Sequence, residues 1–158
     1  MESLNLEVLQ YPDMAQLARV GIRLGVAASI GWLLGAERGS LGKAAGARTH
    51  MLVAFGAALF VMVPAEIGLD EGDLGRVIQG VATGVGFLGA GTILKRTDQH
   101  EITGLTTAAT IWLTAALGLA VGAGLVWIAL MSGVCAWIVL SLYALSDQRA
   151  SRTKLEQP

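Results

Sequence analysis

The sequence predicts an all-α fold, a polytopic bundle of five transmembrane helices with the N-terminus outside and the C-terminus inside. Three observations lead to this prediction: the composition, the placement of the charged residues and the asymmetry of the loops. Of the 158 residues, 54% are hydrophobic and 15% are charged, whereas roughly 25% are charged in an average soluble domain. A soluble helix needs a polar face toward water. This composition therefore excludes an ordinary soluble domain.

Five apolar stretches define the predicted spans, and they cover residues 20–36, 51–67, 77–94, 105–121 and 125–145. These 90 residues contain only two of the 23 acidic and basic side chains, Arg23 and Glu66. About 20 helical residues cross the hydrocarbon core of a bilayer, so each stretch is near the required length. We expect residues 1–17 to be a short extracytoplasmic segment, residues 18–145 the five-helix domain and residues 146–158 a cytoplasmic tail.

The loops differ in charge on the two sides of this arrangement. One side holds only Arg19 and Arg76 among its basic residues. The other holds Arg38, Lys43, Arg48, Lys95, Arg96, Arg149, Arg152 and Lys154. Basic residues favour cytoplasmic loops, which sets the predicted orientation. The net charge of −1 gives no basis for nucleic-acid binding, and the single cysteine, Cys135, excludes an intrachain disulfide.

The first helix is expected to begin near Met14, because Asp13 and Gln16 have the spacing of a capping box. Arg23 follows near the outer edge of the first span. It either extends toward water or faces the bundle and pairs with an acid such as Glu66. The sequence does not choose between these two alternatives.

The second stretch contains Pro64 one turn before its end, which predicts a kink or an end of that helix just before Glu66. The loop 68–75 that follows holds three glycines and three acidic residues. It is interpreted as a solvated turn, because it lacks the ligand spacing of an EF-hand loop. We predict no metal site and no cofactor.

Glycine pairs at four-residue spacing mark possible helix contacts. The pairs are Gly21/Gly25, Gly31/Gly35, Gly80/Gly84 and Gly118/Gly122. Small residues at this spacing let helix backbones approach closely in lipid. We expect them to serve packing within the chain, with a homodimer as the alternative.

The third stretch also matches the dinucleotide pattern G-x-G-x-x-G at Gly84, Gly86 and Gly89. That pattern requires a preceding strand and a βαβ unit, and neither is expected inside a membrane span. We therefore reject nucleotide binding and assign these glycines to helix packing.

Polar residues form a stripe on the fourth span, where Thr103, Thr107, Thr110 and Thr114 share one face and Thr106 lies at its flank. The third span offers Gln79, Thr83 and Gly86 at similar spacing. We expect the two faces to meet each other. They either form interhelical hydrogen bonds or line a polar cavity open to the cytoplasm.

A second polar set lies at the predicted cytoplasmic rim. Lys95, Arg96, His100 and Glu101 approach it from the next loop, and the set itself comprises Glu37, Arg38, Lys43, Arg48, Thr49 and His50. The set either anchors the helix ends or, beside a helix N-terminus, binds a small anion. No catalytic motif such as H-E-x-x-H or a nucleophile elbow occurs, so we predict that the protein is not an enzyme.

Several motifs then occur in a recognisable order. They are Arg23-Leu24, Gly31, Gly35, Glu37-Arg38, Ala45-Gly46-Ala47-Arg48-Thr49-His50, Gly84-Val85-Gly86-Phe87-Leu88-Gly89-Ala90-Gly91, Ile93-Leu94-Lys95 and Thr103-Gly104-Leu105-Thr106-Thr107-Ala108-Ala109-Thr110. Through them, residues 23 to about 122 resemble the MgtC/SapB family of bacterial membrane proteins. Many members carry a cytoplasmic C-terminal domain, and this chain, which stops at Pro158, resembles a short form without it.

The resemblance implies a multi-pass inner-membrane protein linked to growth at low magnesium and to survival under host-like stress, which connects it to virulence. It implies a regulatory role toward partner membrane proteins rather than an enzymatic one. The residues expected to contact a ligand or partner are Arg23, Glu37, Arg38, Arg48, Thr49, His50, Lys95, Thr106 and Thr107. Those expected to pack helices are Gly31, Gly35, Gly80, Gly84, Gly86 and Gly89. The alternative function is a transporter or channel for an ion or small solute between spans three and four.

Overall fold

The computed structural model describes residues 12–96 and 101–155. Within these ranges the chain forms five α-helices and one short hairpin. The elements are α1 Met14–Ser40, α2 Ala47–Glu66, α3 Glu71–Ala90, β1 Leu94–Arg96, β2 Glu101–Thr103, α4 Leu105–Gly122 and α5 Val126–Leu155. The predicted helical architecture is confirmed, whereas the hairpin was not predicted.

Four of these helices are long and apolar enough to cross a membrane: α1, α2, α4 and the part of α5 from Val126 to Tyr143. The chain is therefore a membrane protein. Helix α3 is not among the four, because its first turns carry Glu71, Asp73 and Arg76. A fifth crossing and the orientation of the two termini stay predictions.

Helix α1 begins at Met14, as its capping signal predicts. The Asp13 side chain accepts a hydrogen bond from the Gln16 backbone amide at 2.5 Å, which satisfies one of the free N–H groups of the first turn. The Gln16 side chain does not complete a capping box. Its Nε2 donates to the Glu66 carboxylate instead, so this pair joins the start of α1 to the end of α2.

Helix α3 starts and ends earlier than the apolar stretch 77–94 predicts. Asp70 caps it by accepting a hydrogen bond from the Asp73 amide at 2.8 Å, so most of the acidic segment 68–75 is helix rather than a solvated turn. The helix ends at Ala90. Local capping, which hydropathy does not register, sets its first boundary.

The hairpin follows α3 and places Thr103 on a strand rather than on the threonine-bearing helix. The strands are antiparallel, with Lys95 opposite Ile102. Gly104 then turns the chain into α4 with a φ of +94°, and a Cβ there would collide with the Thr92 carbonyl. Only glycine fits that combination of positive φ and close backbone contact.

The core is built from α1, α2 and α4, which contact one another along their lengths. A Cβ at Gly31 would lie 2.5 Å from the His50 carbonyl oxygen, and one at Gly35 would lie 2.7 Å from Ala47 Cα. The backbones of α1 and α2 therefore touch directly. This is the close approach that small residues permit in lipid.

Helices α2 and α4 are also in close backbone contact at glycines. Gly118 packs on the Ala54 backbone and Gly122 on the Ala58 backbone. Ala54 and Ala58 are fully buried. The sequence analysis did not assign them to helix packing, although their four-residue spacing is typical of it. Helices α3 and α5 flank this three-helix core. Helix α5 runs on to Leu155, beyond the predicted end at residue 145.

The remaining glycine pairs pack against no other element among residues 12–96 and 101–155. At Gly21, Gly25, Gly80, Gly84 and Gly86, no atom lies within 4 Å of the position that a Cβ would occupy. Gly89, in contrast, contacts Ala108 of α4. Intramolecular packing, expected of all these glycines, is thus observed at Gly31, Gly35, Gly118, Gly122 and Gly89 and not at the five open positions.

Candidate functional site

A buried polar cluster lies where α1 ends and α2 and α4 begin. We define it by Glu37, Arg38, His50 and Thr107. Arg38 is 6% exposed, His50 is 0% and Thr107 is 1%. The Arg38 guanidinium donates a hydrogen bond from Nη2 to Thr107 Oγ1 at 3.1 Å. One charged side chain of α1 is thereby tied to the first turn of α4.

His50 is buried because the first turn of α2 lies against α1 at Gly31. Its Nδ1 lies 2.9 Å from the Gly46 carbonyl oxygen. A carbonyl oxygen only accepts hydrogen bonds, so Nδ1 carries the proton in the neutral ring. His50 Nε2 is then a hydrogen-bond acceptor facing the protein interior.

Three side chains of the cluster keep polar atoms that are buried and have no hydrogen-bond partner among the described residues. These atoms are both carboxylate oxygens of Glu37, Nε of Arg38 and Nε2 of His50. The Arg38 guanidinium acts electrostatically on both Glu37 and His50. Buried polar atoms without hydrogen-bond partners are uncommon and reduce the stability of the fold. They indicate that this cluster binds a ligand or water.

The threonine stripe contributes Thr107 to the cluster, and two of its other threonines form hydrogen bonds within α4. Thr110 Oγ1 donates to the Thr106 carbonyl at 2.7 Å, and Thr114 Oγ1 donates to the Thr110 carbonyl at 2.8 Å. Thr110 and Thr114 are buried in the core.

The stripe does not meet the polar residues of α3, contrary to the prediction. Gln79 and Thr83 are exposed, and Thr83 donates to the Gln79 carbonyl of its own helix at 2.9 Å. The stripe faces inward because Arg38 and the α2 backbone pack against that face of α4. Its spacing predicts a shared face but not which helix covers it.

Three other candidate residues lie outside the cluster. Arg48, Thr49 and Thr106 are exposed, Lys95 lies on β1, and His100 falls outside the described residues. Of the nine candidate contact residues, the structure thus brings together Glu37, Arg38, His50 and Thr107.

Arg23 lies at the opposite end of the bundle and is half-buried. Its Nη1 donates to the Gly122 carbonyl at 3.1 Å, near the C-terminus of α4, where the helix dipole favours a positive charge. Of the two alternatives, the inward orientation is correct, but Glu66 is not the partner.

Two grooves between helices of the described chain are lined mainly by apolar side chains. One of about 530 Å³ lies between α4 and α5, beside Leu113 and Met131. Another of about 470 Å³ lies between α2 and α3, beside Phe60 and Gly84. Neither is the polar cavity between α3 and α4 that was considered as an alternative. No group of three or more potential metal ligands occurs in the part of the chain that the structure describes.

Comparison with known proteins identifies relatives. Protein SrpB of Synechococcus elongatus is 50% identical over 67% of this chain and 64% of its own length. The putative magnesium transporter YhiD of Escherichia coli K12 is 42% identical, over 77% of this chain and 59% of its own length. Protein MgtC of Brucella abortus is 43% identical, over 70% and 45%. The chain therefore matches less than two thirds of the length of each.

No solved structure matches the chain. Residues 24–148 match the model of the MgtC family, which is well over half of the sequence and includes the whole buried polar cluster. The earlier resemblance is thereby confirmed: the chain belongs to the MgtC family.

Proposed function

We propose that this chain is a non-enzymatic, multi-pass protein of the bacterial inner membrane that serves magnesium homeostasis during growth at low magnesium or under host stress. It acts by regulating partner membrane proteins through direct helix contact. The names of two relatives support the link to magnesium: one is called MgtC and the other a putative magnesium transporter. None of the three relatives' names denotes an enzyme.

The observation that carries this proposal is the open glycine face of α3, defined by Gly80 and Gly84. Among the described residues outside the adjacent turns of α3, no atom lies within 4 Å of a Cβ at either position, whereas the glycines of the three-helix core are in backbone contact. Gln79 and Thr83 lie exposed on the same helix. In lipid, small and polar residues together favour association with another helix. A partner membrane protein fits this face, and a second copy of the chain is the alternative occupant.

A photo-crosslinking amino acid in place of Gln79 tests the proposal in growing cells. We expect a crosslinked partner in membranes at low magnesium. Gly84→Leu should abolish both the crosslink and growth at low magnesium, because the larger side chain prevents close approach, while membrane insertion is unchanged. Gly25→Leu, at an equally open glycine on α1, is the matched control and should preserve both. Unchanged crosslinking and growth with Gly84→Leu would contradict the proposal.

A transporter or channel is the second candidate, and the buried polar cluster favours it. Charged side chains inside membrane helices often mark ion or substrate pathways. Against it, the groove between α4 and α5 and the groove between α2 and α3 are both apolar. Purified protein in proteoliposomes tests this candidate. Flux of magnesium or another small solute that is lost on Glu37→Gln or Thr107→Val would support transport, and absence of flux across a broad panel would exclude it.

A further inference from the structure

The buried polar cluster has unused hydrogen-bonding capacity of both kinds. Arg38 Nε carries a hydrogen and can only donate, while His50 Nε2 and the Glu37 oxygens can accept. Arg38 and His50 are each more than nine-tenths buried. The donor and the acceptors therefore face the interior without bonding to one another.

Charge restricts what can satisfy these atoms. Glu37 and Arg38 carry opposite charges, and His50 is neutral when Nδ1 alone holds its proton. A divalent cation would add two uncompensated charges in a region of low dielectric beside the guanidinium, which is strongly unfavourable. An anion offers only acceptors and would face the Glu37 carboxylate. The matching ligand must be neutral and must both donate and accept.

We propose that the buried polar cluster is a water-binding site at the junction where α1 ends and α2 and α4 begin. One water molecule accepts a hydrogen bond from Arg38 Nε and donates to His50 Nε2 and to Glu37. Buried waters typically make about three hydrogen bonds to otherwise unsatisfied groups, and this water makes three, one to each of the three side chains that keep unsatisfied atoms. The water completes the polar layer that joins α1, α2 and α4. This inference does not depend on the regulatory function proposed above.

Radiolytic hydroxyl labelling of the full chain in lipid nanodiscs tests the proposal, because bound water generates radicals where it sits. We expect His50 to be labelled although its exposed fraction is 0%. Met62 is the matched control, since it is 4% exposed and lies in the apolar core, and methionine is intrinsically the more reactive side chain. Met62 should remain unlabelled. Labelling of His50 no greater than that of Met62 would overturn the proposal.

Variants and magnesium separate water from other ligands. Arg38→Met removes the hydrogen-bond donor, so we expect that His50 is no longer labelled. Glu37→Gln keeps an acceptor oxygen, so we expect that His50 is still labelled. Labelling should be the same with magnesium or with a chelator. Protection of His50 by magnesium would instead identify a cation site and overturn the proposal. If Arg38→Met unfolds, which labelling of Met62 would reveal, the comparison of His50 with Met62 in the unmodified chain still decides.

Discussion

Arg38 of α1 reaches Thr107 of α4 across 69 residues of sequence, with its Nη2 at 3.1 Å from the threonine Oγ1. Fifteen residues earlier on the same helix, Arg23 donates to the Gly122 carbonyl, also at 3.1 Å. Two arginines of α1 therefore hold the two ends of α4. Between them the contact is made by small and apolar side chains, so the arginines set the relative position of these helices along their axes.

Thr107→Val should destabilise the protein by about 1–3 kcal/mol, because it leaves a buried guanidinium N–H without its acceptor. Thr110→Val is the matched control. It removes only a hydrogen bond to the backbone of its own helix and should cost about 1 kcal/mol or less. Reversible unfolding in mixed detergent micelles measures both values. Equal losses would mean that the bond between Arg38 and Thr107 contributes nothing specific.

Gly31→Ala should cost about 1–3 kcal/mol, the usual range for overpacking a tight contact, because its methyl group would lie 2.5 Å from the His50 carbonyl oxygen. Gly21→Ala on the same helix meets open space. It should leave stability unchanged or raise it by up to about 1 kcal/mol through helix propensity. Thermal unfolding of both variants checks this, and a neutral Gly31→Ala would show that α1 and α2 are not in backbone contact.

Arg23→Met should loosen the opposite end of the bundle. It removes the hydrogen bond to Gly122 and the charge at the C-terminus of α4, together worth about 1 kcal/mol at a half-buried site. Arg19→Met, four residues away and exposed, should have no effect. Hydrogen exchange of the amides at residues 119–126 is the local readout. Exchange that is equally fast in the two variants would argue against the role of Arg23.

The five-span topology predicts that the two ends of α3 lie on opposite sides of the membrane. In a Cys135→Ser background, Ile67→Cys before α3 and Ile102→Cys after it are both at exposed positions. A membrane-impermeant maleimide should label Ile67→Cys from outside in intact cells and Ile102→Cys only after the membrane is opened. Labelling of both from one side would show that α3, with its charged first turns, does not cross.

A C-terminal reporter tests the orientation independently of α3. The basic residues at the ends of α1 and α5 predict that the C-terminus is cytoplasmic. A fused fluorescent protein should therefore mature, while a fused alkaline phosphatase should stay inactive. The reverse result would invert the predicted arrangement.

Much of the fold could be predicted from local features of the sequence. Hydropathy located all five helices, and the capping residue Asp13 located the start of α1. The boundaries of α3 were missed because Asp70 extends the helix through polar residues, where hydropathy carries no information. The hairpin was missed because its three-residue strands are too short to produce a periodic pattern.

The sequence by itself determined that this protein lies in a membrane, because long apolar stretches with so few charged residues are stable only in lipid. It also determined that Thr107, Thr110 and Thr114 share one helix face. Only the tertiary structure decided which faces meet: Gly31 and Gly35 are buried against α2, whereas Gly80 and Gly84 are open, and Thr107 bonds to Arg38 rather than facing α3. The physical reason is that lipid and helix surfaces are equally apolar, so hydropathy does not select a neighbour. Close packing and long-range hydrogen bonds make that choice.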